Sequence, residues 1–296
     1  MFRDDDFSAP ACARFAAMWD RMATQVRELS PGQPIRADGD KSGVPASLDA
    51  VRQSDAYHSL SIEGYKVTPE LIQRAADPDC DFSRMTDEER PHALAARGYL
   101  NAFDLVNGAI GDGVSGKTLA ASYEGWYQAL FQPLLESHGL TKASIMGYRR
   151  HVVFLPGSKH VPAAWETVPD LMQVYREKLS EEASPMAQAV LGHFGFGFIH
   201  PYQDGNGRVS RFIMNAALVA AGNPWTVIHV ENRGEYLKAL EAASSGDDIE
   251  PFARFVQKEM AASPSSALPE VPRVPRHDVA SPARTAPEVD LSAGTR

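Results

Sequence analysis

Apolar residues recur three and four positions apart along most of the chain, the repeat of helices with one buried face. Phe15, Met18, Trp19 and Met22 share such a face, as do Trp126, Leu130 and Leu134. Ser184-Pro185 provides an N-cap and a first-turn proline for a helix running through Met186, Val190, Leu191, Phe194 and Phe198, apolar on nearly every side. That helix is predicted to be central. Val209, Phe212, Ile213, Ala216 and Ala217 predict a second apolar helix stopping at Gly222, with Pro224 just beyond. Near the end, Asp247 or Asp248 can cap a helix with Pro251 in its first turn, presenting Phe252, Phe255 and Val256 to the core. One stretch breaks the helical repeat. In HVVFLPGSKHV, two short apolar arms at Val152–Leu155 and His160–Pro162 flank Pro156-Gly157-Ser158, a hairpin signature that periodicity alone leaves open to an irregular loop. The pattern predicts an all-α protein carrying one small β-hairpin at about 152–162.

From residue 261 onward the chain has no aromatic side chain and frequent prolines, too little apolar surface to offset the entropy of ordering. A disordered tail over 261–296 is expected, with a proline-rich docking segment as the alternative. Of the 296 residues, 44% are hydrophobic and 23% charged, ordinary for a globular chain of one large or two modest domains. Lys plus Arg number 29 against 38 Asp plus Glu, a net charge of −9 that excludes a global grip on nucleic-acid phosphates. A local basic pocket remains compatible with it. Cys12 and Cys80 stand in no metal-ligand spacing, so neither a disulfide framework nor a structural zinc site is suggested and a reducing cytoplasm is expected. Acidic residues occupy the N-terminus where a secretory signal needs basic ones, and no apolar window is long enough for a membrane span. Export by machinery that reads other signals stays open.

The densest chemistry lies in HPYQDGNGRVSR, from His200 to Arg211, between the two apolar helices. Asp204-Gly205-Asn206-Gly207 can take positive φ at both glycines and at Asn206, turning successive N–H groups into a nest at the start of the next helix. Such a corner binds phosphate oxygens. Arg208 and Arg211 share a face of that helix's first turn, where the dipole disfavours cations unless an anion meets them. Asp204 supplies the single carboxylate from which Mg²⁺ commonly reaches nucleotide phosphates. His200 titrates near neutrality and can take a proton from an attacking hydroxyl.

The stretch resembles the Fic-family motif HPFxDGNGRxxR, differing at its specified positions only in Tyr202 for phenylalanine. The resemblance extends over roughly residues 50 to 260. It implies a mostly helical Fic core at 86–260 and transfer of AMP from ATP to Ser, Thr or Tyr hydroxyls of proteins, the chain itself included. In that scheme His200 is the general base, Asp204 the Mg²⁺ ligand, and Gly205, Asn206, Gly207 and Arg208 the cradle of the α- and β-phosphates. Arg211 meets the γ-phosphate, and Tyr236 in GEYLKAL looks like a nucleotide-pocket residue. Glycine at 207, where a kinase-like branch carries lysine, favours nucleotidyl transfer. The predicted hairpin becomes a flap over the active site, along which an extended segment of a target protein adds as a strand. Neither target identity nor homo-oligomer formation is written in these residues.

Ser59, Glu63 and Gly64 resemble the [S/T]xxxE[G/N] signature of an inhibitory helix in front of some Fic cores, here within an N-terminal helical region at 1–85. A Glu63 carboxylate aimed at Arg211 would form a bidentate, charge-assisted pair on the ground a γ-phosphate must hold. Two alternatives accompany AMP addition: removal of AMP by the same site with Glu63 orienting water, and a nucleotide-sensing regulator with little turnover.

Two other signals point elsewhere. Gly111–Thr118 matches the P-loop pattern GxxxxGK[ST], but the preceding LAARGYLNAFDLV has helical spacing where a P-loop needs a buried strand, so Ser115 or Thr118 is read as a helix cap. His193 lies seven residues before His200 without a carboxylate or thiol companion and reads as a core histidine rather than a metal ligand.

Overall fold

A helix that is apolar on nearly every side, followed by a second apolar one, can persist in water only if others enclose the pair. The protein, described by a computed structural model over residues 5–30, 48–138, 145 and 147–263, meets that requirement with helices throughout. In chain order they are α1 (Asp5–Leu29), α2 (Asp49–Ile62), α3 (Pro69–Ala76), α4 (Glu89–Asp112), α5 (Gly116–Ser137), α6 (Val168–Glu181), α7 (Pro185–Ile199), α8 (Asn206–Ala220), α9 (Arg233–Gly246) and α10 (Glu250–Ala262). The central pair α7 and α8 pack against each other. Around them, α1 lies on α6 and α7, α4 and α5 lie on α8, and α9 pairs with α10.

The N-terminal helices are built into this arrangement. Phe15 and Trp19 of α1 reach Phe198 and Tyr175, and α2 sits on α4 and α8. One continuous buried cluster runs from Phe15 to Val256 through both sides of the boundary expected at residue 85. The expected tail lies outside the described residues apart from its first three positions.

Local signals account for the helix ends. Ser184 caps α7, its hydroxyl accepting from the Ala187 amide, and Pro185 opens the first turn. At the P-loop look-alike, the first glycine, Gly111, lies within α4 rather than after a strand. There Ser115 and Thr118 form a reciprocal capping box at the start of α5, so Lys117 belongs to a first helical turn. The cap of α10 differs by one residue: Asp247 closes α9 in the left-handed conformation, Ile249 takes the N-cap position, and Asp248 accepts from the Glu250 amide.

The hairpin is a correction. Among the described residues there is no strand; 152–162 forms two unpaired arms around a turn at Pro156-Gly157. The arms are held by the body of the protein instead of by each other. Glu241 of α9 accepts from the Ser158 hydroxyl and the Lys159 amide, and the His160 ring stacks on Phe198 with Nε2 at 2.9 Å from that residue's carbonyl oxygen. Val152, Phe154 and Val161 are left facing solvent, Phe154 at 74%.

A candidate anion-binding active site at the start of α8

The loop from His200 to Gly205 ends α7 and begins α8, and three devices fix its path. His200 closes α7 in the left-handed conformation (φ 54°, ψ 59°), a rare state for a residue with a side chain. Asn206 clamps the loop with both amide atoms: Oδ1 accepts from the Tyr202 amide and Nδ2 donates to the Tyr202 carbonyl. Tyr202 in turn stacks on Tyr127, with ring centroids 3.7 Å apart and planes at 5°. The expected run of positive φ is confined to Gly205 (φ 82°), because Asn206 and Gly207 already belong to α8. A helix N-terminus with open first-turn amides therefore stands where a nest was expected. The Asn206 side chain is committed to the loop, so only its main chain is free to meet a ligand.

Arg208 and Arg211 are 1% and 2% exposed, rare burial for cations at the positive end of a helix. Arg208 lies between the Tyr65 and Phe131 rings, 5.1 Å from each centroid, with Nη2 donating to Asp204 Oδ2 at 2.9 Å. Arg211 donates from Nε to the Ser59 hydroxyl at 2.7 Å, and from Nη2 to the Ser59 carbonyl at 3.1 Å and Glu63 Oε1 at 2.6 Å. The pair with Glu63 thus uses one carboxylate oxygen rather than the expected two, since Ser59 takes the other edge of the fork. Burial alone would lower both arginine pKa values; Asp204 beside one and Glu63 beside the other more than compensate and hold them above the ordinary range. Each keeps a buried nitrogen with no partner, Nε of Arg208 and Nη1 of Arg211. Buried donors are almost always bonded, so two orphans on neighbouring cations mark ground prepared for an anion.

Glu63 reaches this ground from the C-terminal end of α2, where Gly64 turns the chain with φ 88°. A β-carbon at Gly207 would run into the Glu63 carboxylate, so glycine there is a condition of the close approach. Asp204 stands at the mouth, one oxygen accepting from the Gly205 amide and the other from Arg208. Among the described residues no three potential metal ligands cluster. A lone carboxylate beside orphaned phosphate-type donors suits a hard cation that brings phosphate oxygens and waters as its other ligands.

Burial, with Arg149 assisting, pushes the pKa of His200 down to about 4 despite nearby Glu63 and Asp204. Its ring is neutral at pH 7. Nδ1 faces the Gly197 carbonyl at 3.4 Å, which leaves Nε2 as the nitrogen able to accept a proton.

Tyr236 lies on α9 beside Arg211. It is buried against Phe252 and Phe255, its hydroxyl 2.8 Å from His193 Nε2 and near enough to feel the Arg211 charge. His193 is the core histidine the sequence indicates, its pKa lowered to about 3 by burial. Sequence reasoning missed Tyr65, Tyr127 and Phe131, the aromatic bed of Arg208 and the loop. Nothing in their spacing announces a partner more than seventy residues away.

A Fic/DOC family model matches residues 123–218. A protein adenylyltransferase Fic from Drosophila virilis is 32% identical over 267 residues, 84% of this chain and 51% of that protein. The namesake from Nematostella vectensis is 40% identical over 115 residues, 38% of this chain and 26% of that one. The chain thus spans about half the length, or less, of these relatives. In structure it is similar to a fragment of Fic-1 from C. elegans, with a TM-score of 0.57 at 19% identity over 86% of this chain and 72% of the fragment. A Fic domain containing signaling protein from Bacteroides thetaiotaomicron gives 0.53 at 18% identity, covering 82% and 94%.

Proposed function

Because the chain belongs to the Fic/DOC family, we propose that it transfers AMP from ATP to hydroxyl groups of proteins and that Glu63 holds this activity in check. The single observation that carries the reading is the pair of buried arginines with orphaned donors at the start of α8. A triphosphate laid against the open amides of Asn206 and Gly207, Arg208 Nε and Arg211 Nη1 satisfies both orphans. The target hydroxyl attacks the α-phosphorus, its proton passes to His200 Nε2, and the bond to the β-phosphate oxygen breaks to release pyrophosphate. The fixed amides and arginines lower the barrier by meeting charge where it develops on phosphate oxygens. Asp204 would hold a Mg²⁺ ion, which when bound with the nucleotide withdraws negative charge from the phosphates.

The Glu63 carboxylate occupies Arg211 and keeps a γ-phosphate from it. Exposed Val152, Phe154 and Val161, on arms whose main chain has no partner strand, support docking of an extended target segment along 152–162. Two unbonded cysteines, Cys12 and Cys80, suit a reducing cytoplasm, and no helix among the described residues is long and apolar enough to cross a membrane.

The test is incubation with Mg²⁺ and ATP labelled at the α-phosphate. Glu63→Gly should carry label about tenfold or more above wild type, the scale of one charge-assisted hydrogen bond released. His200→Ala in that background should carry almost none. Equal labelling of wild type and Glu63→Gly ends the inhibitory assignment. A second reading has its own support: Glu63 is partly exposed and near enough for its charge to act on His200, where a carboxylate can orient water. Loss of AMP from a pre-labelled protein, abolished by Glu63→Gly, would select removal over addition.

A further inference from the structure

Arg149 is buried, and its side-chain hydrogen bonds among the described residues all go to main-chain carbonyls, with Glu166 the one carboxylate whose charge it feels. Its guanidinium is spent on main-chain carbonyls from two parts of the chain. Nε donates to His200 at 2.8 Å, Nη1 to His151 at 2.9 Å, and Nη2 to Ala163 at 2.6 Å with a long reach of 3.5 Å to Ile199. Its own amide donates to the Pro201 carbonyl at 2.9 Å. His151 and Ala163 bracket the unpaired arms of 152–162, while Ile199, His200 and Pro201 are the end of α7 and the start of the anion loop.

We infer that Arg149 is a positioning residue that sets the base of the 152–162 segment and the backbone of His200 in one frame. This inference rests on the AMP-transfer reading of the site. His200 holds a left-handed conformation that its side chain disfavours, and such a state persists only where the surroundings over-determine it. Two bonds do so: the His200 amide donates to Phe196 inside α7, and the His200 carbonyl is held by Arg149. The carbonyls at the C-terminal end of α7 also carry the negative end of its dipole, a favourable seat for a cation that makes no hydrogen bond to a carboxylate. Only arginine suits the place. Its planar fork reaches several carbonyls at fixed angles, whereas lysine brings the charge on a single point. The segment that receives the target and the ring that takes the target's proton are thereby spaced by one rigid group.

The test uses Arg149→Lys and Arg149→Gln in the Glu63→Gly background, with three readouts: the rate of self-labelling at saturating ATP, the Kd for ATP, and amide exchange. Positioning predicts a labelling rate lower by about a hundredfold in both variants, the cost of misplacing a reacting group by about an ångström. The Kd should stay within about twofold, because no phosphate donor is touched. Exchange at residues 151–163 and 199–205 should quicken together. Full rescue by lysine would overturn the inference in favour of charge alone, and joint loss of ATP binding would overturn it in favour of a general folding role. If the Glu63→Gly parent carries no label, the functional reading fails on its own. Amide exchange then still decides the coupling: unchanged exchange in either segment overturns it.

Discussion

Arg211 shows how a single side chain was partly legible in advance. Its place three residues after Arg208, at the start of a helix, announced an anion, and Glu63 was the carboxylate indicated. Ser59 was named beside Glu63 in the same signature, but not its bonds to Arg211, which it meets with both a hydroxyl and a carbonyl because α2 delivers them edge-on to the fork. Ser59→Ala should therefore cost about 1–3 kcal/mol in urea unfolding, the penalty for leaving a buried charged donor short of an acceptor. A tyrosine on a helix face reads the same whether it meets a ligand or the core, and Tyr236 meets His193 while feeling the Arg211 charge. For His200, a pKa lowered to about 4 means the ring is already the acceptor at neutral pH. The transfer rate of Glu63→Gly should stay level from about pH 8 to 5 and fall as pH drops through about 4; a decline beginning near 6.5 would show an unshifted imidazole.

Helices were easier to read than the segment between them, for a physical reason. A helix bonds to itself, so caps and periodicity such as Ser184-Pro185 or the Ser115–Thr118 box carry most of the information locally. Ser115→Ala should cost about 1 kcal/mol of stability, while Lys117→Ala leaves nucleotide transfer unchanged in the Glu63→Gly background, as measured by label on protein. The arms at 152–162 bond to α9 and to the end of α7, partners from about 40 to 80 residues away. Their composition says extended and apolar, and nothing in it says that the two arms will fail to pair with each other. For the same reason Arg149, one arginine among many in the sequence, becomes distinctive only when four carbonyls converge on it.

Over the whole molecule, acid should loosen the fold. His58, His193 and His200 are neutral in place, their pKa values lowered to about 4, 3 and 4 chiefly by burial. Between the unfolded value near 6.5 and these folded values the unfolded chain binds more protons, so the stability they provide is complete above 6.5 and lost as pH falls through about 4. Asp55, raised to about 6 by burial, works in the opposite sense, stabilising below its unfolded value near 3.8 and losing that contribution as pH rises through 6. Three large downward shifts outweigh it, and thermal melts should give a lower Tm at pH 4.5 than at pH 7.5. The link between Glu63 and Arg211 joins residues 148 positions apart, and it carries a consequence for dose. On the proposed reading Glu63 is a tethered ligand, present at a fixed effective concentration that no purification removes. Free nucleotide competes against that local supply, so the wild-type protein should bind a triphosphate productively only in proportion to how far the cellular pool outruns its own side chain.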